Sequence, residues 1–285
     1  MKRRAALMAI GLCPLLGAAS WASTVSQSEL SVDSGLLPQR LMFGVVPQQS
    51  AYKLARIWLP LLAEVSKRSG VEIIFATAPD IPTFEQRVRE GVYDLAYMNP
   101  YHYTVYHQSN GYEALVRARD QSIRGIFVVR KDSPLQSLED LNLADLAYPA
   151  PAAFAATILP QATLAGLGVE SRPFYVLSHD AVYRGVAAGR FVAGGGIQRT
   201  FNSLEPEVRD QLRVLWTSPG YTPHPIAAHP RVTDEVRQRL LAVFSGLAQD
   251  EKGATLLTAL KYSGFQVASD NEWDDVRALR INRLE

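Results

Sequence analysis

Leu41-Met42-Phe43-Gly44-Val45-Val46-Pro47-Gln48-Gln49-Ser50 decides the fold class. Six residues, apolar apart from one glycine, have the length of a buried strand, and Pro-Gln-Gln-Ser ends it. Downstream, Leu54, Trp58, Leu61 and Val65 recur at helical spacing, and Lys67-Arg68 with Gly70 close that helix. Pro60 lies inside the pattern and is expected to kink the helix or divide it. Val71-Glu72-Ile73-Ile74-Phe75-Ala76 reads as a second strand, and Thr83-Phe84-Glu85-Gln86 has capping-box spacing for a helix ending at Gly91. Tyr93-Asp94-Leu95-Ala96-Tyr97-Met98 is the third strand, with Asn99 as the cap and Pro100 as the first residue of the next helix. Strand and helix alternating through short connections predict an α/β fold with a parallel sheet covered on both faces.

A second series follows the charged loop Arg117-Ala118-Arg119-Asp120. Strands are expected at 126–129, 146–148, 173–176, 191–193 and 212–216, and a helix from about 152 to 167. Ser178-His179-Asp180 opens another helix, and Gly194-Gly195-Gly196 reads as a flexible turn. After the proline-rich Thr222-Pro223-His224-Pro225 the chain reads as helical, with Val236, Leu240, Val243 and Leu247 on one stripe and Ser269-Asp270-Asn271-Glu272 as a capping box. Helices alone cannot complete a domain there, so they are expected to return to the first unit. The resulting organisation is lobe one from 40–120 plus 222–285 and lobe two from 121–221, two α/β lobes joined by a two-crossover hinge. The crossings fall near 119–123 and 217–224, and a cleft between such lobes is a common small-molecule site.

Met1-Lys2-Arg3-Arg4, an apolar run over 5–19 and Ser20-Trp21-Ala22 have the layout of a signal peptide covering 1–22, followed by a polar leader over 23–39. Pro14 and the short apolar run disfavour a retained anchor, so no stable membrane insertion is expected and the periplasm is the expected location. Cleavage removes three basic residues, and the 29 basic side chains fall to 26 against 28 acidic. The mature chain is then mildly acidic and has no basic run to track a phosphate backbone, which argues against nucleic acid as a partner. The single cysteine, Cys13, lies in the removed segment, which leaves no disulfide and no thiolate chemistry.

Several pieces in order resemble the phosphate, phosphite and phosphonate-binding proteins of ABC transporters. They are Gly44-Val45-Val46-Pro47, Gly91-Val92-Tyr93-Asp94-Leu95-Ala96-Tyr97 with Pro100 and Tyr103, Ser137-Leu138-Glu139-Asp140-Leu141, Ser178-His179-Asp180-Ala181-Val182 and Val186-Ala187-Ala188-Gly189-Arg190. The resemblance implies a type II periplasmic binding protein that closes on its ligand like a hinge. Two departures stand out. The family's Ser/Thr-rich oxyanion segment is here Ala150-Pro151-Ala152-Ala153-Phe154-Ala155, and Val192 stands where the family carries an acidic residue for the ligand's amine or hydroxyl. Each lost hydrogen bond to a charged group is worth about 1.5–3 kcal/mol, so a less charged or more apolar ligand becomes an expectation.

Candidate ligand contacts follow from position. Asn99, Tyr101, His102 and Tyr103 sit at the carboxyl end of a strand, where open α/β sheets place ligands, and Tyr97 ends that strand. Gln48, Gln49 and Ser50 hold the equivalent place after the first strand, and Ala152 and Ala153 begin the lobe-two helix. Ser178 and His179 match the family's Ser-His pair, while Arg124 and Arg199 are cations able to neutralise an anion. His102/His107 and His224/His229 lack zinc spacing, no phosphate loop or nucleophile elbow occurs, and no cofactor or metal is expected. The function expected is capture of a small, anionic ligand without catalysis, by a monomer. The closed form would be delivered to an ABC permease, or alternatively presented to a periplasmic sensor histidine kinase. A secreted hydrolase is the lesser alternative.

Overall fold

A computed structural model describes residues 40–284. Strand β1 (Arg40–Val45) pairs in parallel with β2 (Glu72–Thr77) on one side and β3 (Leu95–Tyr97) on the other, linked by helices α1 (Ala51–Ser69) and α2 (Ile81–Arg89). α1 buries Leu54, Trp58, Leu61, Leu62 and Val65 against this sheet. Each such side chain contributes about 1.5–3 kcal/mol on burial. The expected break at Pro60 does not occur, because Pro60 lies on the exposed face and water can take the carbonyl it leaves unpaired. α2 starts two residues before the expected Thr83: Asp80 is its cap, accepting from the Thr83 N–H at 2.8 Å.

Helix α3 (Pro100–Asn110), capped by Asn99 as expected, leads into β4 (Glu113–Ala118), an unexpected strand that overlaps the expected charged loop at Arg117 and Ala118. The second sheet begins with β5 (Gly125–Arg130) and β6 (Ala144–Tyr148). A π-helical turn over Phe154–Ile158 precedes α4 (Leu159–Gly166), so the expected helix starts later and less regularly. Then come β7 (Ser171–Tyr175), α5 (His179–Ala187), β8 (Ala193–Ile197), two single-turn helices α6 (Gln198–Phe201) and α7 (Pro206–Arg209), and β9 (Leu212–Thr217). The strand order is β7-β6-β8-β5-β9, with β5 antiparallel to both its neighbours.

The glycine run is a fully buried strand and not a turn, because the π-helical turn lies directly on it. A Cβ on Gly195 would sit 2.0 Å from the Ala156 carbonyl oxygen, and one on Gly125 of neighbouring β5 2.1 Å from that of Ala155. Only glycine permits that approach.

The chain then returns to the first sheet with more than helices. β10 (Pro225–Ala228) enters between β3 and β4, antiparallel to both, and after α8 (Asp234–Gly246) and α9 (Glu251–Leu260) comes β11 (Phe265–Val267), which pairs with β4. The first sheet therefore reads β11-β4-β10-β3-β1-β2 and is mixed, not parallel throughout. The Ser269 capping box forms as expected and precedes the short α10 (Asp274–Arg277). Where the chain passes between sheets, Ile123 and Tyr221 exchange both backbone hydrogen bonds, at 2.8 and 3.0 Å, so the two crossings are tied side by side. No helix among the described residues is long and apolar enough to cross a membrane. The proposed signal peptide and leader, 1–39, lie outside the described residues.

Candidate functional site

The carboxyl ends of β1 and β3 and the amino end of β10 face the π-helical turn and β8 of the second sheet, and the deepest part of that junction is filled. Ala150, Ala152, Ala153, Phe154, Ala155 and Ala156 all belong to the same apolar core as the first sheet. The Phe154 ring stands edge-on to Tyr221 at 5.4 Å. Thr157 Oγ1 donates to the Ala150 carbonyl at 2.7 Å, and Asn99 Nδ2 donates to the Ala152 carbonyl at 3.2 Å. What remains among Val46, Gln48, Asn99, Phe154, His179 and Ile197 is a space of about 10 Å³, room for at most one water. Ala152 and Ala153, expected at a ligand, are core residues.

Beside the two crossings the junction opens into a cavity of about 250 Å³ lined by residues 121–124, Ile197, Gln198, Arg199, Asn202, Pro223, His224, Lys261 and Tyr262. Its wall is a network between the sheets. Arg199 Nη2 donates to Gln48 Oε1 at 2.8 Å, which turns the Gln48 amide nitrogen to His224 Nε2 at 2.9 Å. That orientation assigns the His224 proton to Nδ1. The His224 ring stacks on Tyr97 at 5.0 Å, and the Tyr97 and Tyr262 hydroxyls are 2.6 Å apart. The Arg199 guanidinium lies 5.9 Å from the centroids of both tyrosine rings. This is a cation–π setting in place of a carboxylate partner.

Burial and the neighbouring Arg199 charge set the titration of the junction histidines. Burial, and then the Arg199 charge, pushes His179 down to about 3, and the same two causes hold His224 well below the ordinary imidazole range. Both rings are neutral at physiological pH, and a neutral imidazole can donate from one nitrogen and accept at the other. His179 also ties the halves together, its backbone N–H donating to the Gln48 carbonyl at 3.1 Å while its Nδ1 lies 3.3 Å from Thr200 Oγ1.

The residues expected at a ligand separate into two groups. Gln48, Tyr97, Asn99 and His179 meet at the junction as described, and Gln49 is buried beside Gln48. Ser50 and Ser178 act as helix caps, accepting from Lys53 N and Ala181 N. Tyr101, His102 and Tyr103 point away, because the first turn of α3 presents those positions to other helices. The Tyr101 hydroxyl receives the Arg283 and Leu284 N–H groups, His102 Nε2 meets Glu85 Oε1 at 2.9 Å, and the Tyr103 hydroxyl donates to Asp270. Val192 precedes β8 at the end opposite Ile197 and lines neither space, so a ligand at the junction would not reach it. His224, Lys261 and Tyr262 line this cavity and were not among the residues expected at a ligand. The only sequence signal for His224 was its place before the short apolar Pro225-Ile226-Ala227-Ala228, which pairs as β10.

An ion-pair cluster also joins α1 to the second sheet's half at the rim. Lys53 Nζ on α1 lies 2.7 Å from Glu205 Oε1 and 3.6 Å from Asp180 Oδ2, both in the second half. Burial raises the Asp180 pKa, against the pull of Lys53. Lys53→Gln is expected to cost about 1 kcal/mol in urea denaturation at low salt, with a smaller difference at about 1 M salt, as for a partly exposed ion pair.

The family model described as "ABC transporter, phosphonate, periplasmic substrate-binding protein" matches residues 43–273. The "Phosphonates-binding periplasmic protein" of Escherichia coli (strain K12) is 24% identical over 274 residues, covering 85% of this chain and 76% of that protein. Among solved structures, a binding protein component of an ABC phosphonate transporter from Pseudomonas aeruginosa superposes with a TM-score of 0.79 at 21% identity, covering 86% of each chain. PhnD1 from Prochlorococcus marinus (MIT 9301), solved in complex with methylphosphonate, gives 0.79 at 18% identity over 85% of this chain and 97% of that one. The fold is that of a type II periplasmic binding protein. The family description and the Pseudomonas aeruginosa structure name an ABC transporter, and the sensor histidine kinase reading finds no support among the matches reported.

Proposed function

The chain belongs to the phosphonate family of ABC-transporter periplasmic substrate-binding proteins, and from that premise we propose that it captures a small anion between its two sheets and delivers it to an ABC permease. The observation that carries the anion is Arg199. It is partly buried at the junction, reaches across it to Gln48, and forms no ion pair among the described residues. A cation withdrawn from water without a carboxylate is costly, and an anionic ligand supplies the missing partner. Lobe one comprises 40–120 plus 222–285 and lobe two 121–221, moving about the crossings tied at Ile123 and Tyr221. The segment 1–22 directs export to the periplasm and is removed, and the protein acts as a monomer. It binds and releases its ligand unchanged, a reading supported by the substrate-binding role in the family's description.

Thermal denaturation of the purified protein tests this. An anion at a hundred times its Kd adds about 2.7 kcal/mol, which raises the melting temperature by roughly 5–10 °C in a chain of this size. Methylphosphonate, phosphate and dicarboxylates are the probes, with neutral methanol and glycerol as controls. Stabilisation by the neutral compounds alone would overturn the reading.

A further inference from the structure

The 250 Å³ cavity beside the crossings has a lining whose charges are all of one sign, in a chain with nearly balanced charge overall. Arg124, Arg199 and Lys261 line it, and no aspartate or glutamate does. None of the three forms an ion pair among the described residues; their hydrogen bonds go to uncharged groups. Arg124 Nη1 donates to the Ser218 carbonyl at 3.2 Å, Lys261 Nζ to the Asn202 carbonyl at 2.7 Å, and Arg199 to Gln48. A guanidinium has five N–H donors and an ammonium three, and with Arg124 and Lys261 exposed and Arg199 half-buried most of them are left to water or to a ligand. The surface of a nearly neutral protein does not gather three unpaired cations around one cavity without repulsion among them, and a bound anion relieves it.

Lys261 ends α9 in the left-handed region, at φ 58°, a conformation shared by Asp120, Leu143, Leu177 and Arg280, and at that helix end it lines the cavity.

Resting on the reading that this chain captures an anion between its sheets, we propose that the anion is a small organic dianion held in this cavity, and not at the head of the alanine-rich turn. Arg124 and Arg199 approach from the second half, and Lys261 with Tyr262 from the first, so a dianion here joins the halves next to the hinge. The uncharged Gln121 and Gln198 in the lining supply further hydrogen bonds, and the space takes roughly eight water-sized groups, enough for a few carbons beside the charged head. The alanine turn is then a spacer: its side chains fill the depth of the junction and move the charged site outward to the crossings.

Methylphosphonate and methanesulfonate have nearly the same shape and differ by one charge at pH 8.5, and succinate carries its two charges at opposite ends. Calorimetric titration of the full protein is expected to show methylphosphonate or succinate at least tenfold tighter than methanesulfonate. The double variant Arg124→Gln/Lys261→Gln is expected to weaken the dianion about a hundredfold while its unliganded melting temperature stays within a few degrees of wild type. Ala155→Ser restores a hydroxyl at the alanine turn and should leave both affinities as they were. Unchanged dianion affinity in the double variant, or a tenfold gain in Ala155→Ser, would move the anion to the turn and overturn this proposal while leaving anion capture intact. If wild type binds no anion, anion capture itself fails and this placement fails with it.

Discussion

Gly195→Ala is expected to lower the melting temperature by about 6–12 °C, the shift that corresponds to about 3 kcal/mol in a chain of this length. The added methyl would stand 2.0 Å from the Ala156 carbonyl oxygen and 2.8 Å from the Tyr148 ring. The first contact is backbone on backbone, so no rotamer change relieves it. Either β8 shifts in the middle of its sheet or the turn over Phe154–Ile158 lifts from it. Gly125→Ala meets the Ala155 carbonyl at 2.1 Å and should behave alike, since both glycines accommodate the same turn. Gly166, near the end of α4, has nothing within 4 Å of an added methyl, and Gly166→Ala should leave stability unchanged or raise it by up to about 1 kcal/mol through helix propensity. Thermal and urea denaturation of the three variants check the set, and a Gly195→Ala protein melting with wild type would mean that the turn does not rest on β8.

The same glycines explain why part of the fold was illegible beforehand. Period and capping revealed β1, α1, α3 and the alternation of the first half, because there side chains carry the pattern. In β8 the pattern is the absence of side chains: Ala-Gly-Gly-Gly-Ile has neither alternation nor β-branched bulk until its last residue, so propensity reads it as a turn while packing makes it a buried strand. β4 and β10 were hidden for another reason. Each is short and takes its register from partners remote in the sequence, β10 from both β3 and β4. The site divides along the same line. Gln48, Asn99 and His179 follow strands or open helices, positions that local sequence can identify. Lys261 and Tyr262 become site residues only because α9 ends beside the crossings, which no local pattern encodes. The tyrosine-rich start of α3 lies away from the cavity for a physical reason too: Tyr101, His102 and Tyr103 sit at the carboxyl end of the sheet, but one helical turn carries their side chains to Glu85, Asp270 and the C-terminal backbone.

Arg199→Met separates a binding arginine from a structural one, and it is expected to reduce anion affinity a hundredfold or more without loss of unliganded stability. Two charge-assisted hydrogen bonds at about 1.5–3 kcal/mol each account for a fall of that size. Methionine keeps the length of the side chain and can pack its sulfur against the Tyr97 and Tyr262 rings, so what is removed is the charge together with its hydrogen bond to Gln48. The histidines give a second readout with a definite sign. Folded His179 titrates at about 3, below the ordinary 6.5, so the unfolded chain binds the proton first. Its contribution to stability is complete above pH 6.5 and is lost progressively as pH falls towards 3; His224, also depressed, acts in the same direction. The Arg199 charge is the second cause of both shifts after burial. Without it the two folded values rise towards the unfolded one, and the decline in stability between pH 6.5 and 4 becomes shallower than in wild type. Urea denaturation across that range, together with titration of methylphosphonate at pH 8.5, measures both effects. A variant that loses about 3 kcal/mol at neutral pH while binding the anion as wild type does would identify Arg199 as a structural cation held by its aromatic neighbours, and the anion would need another partner.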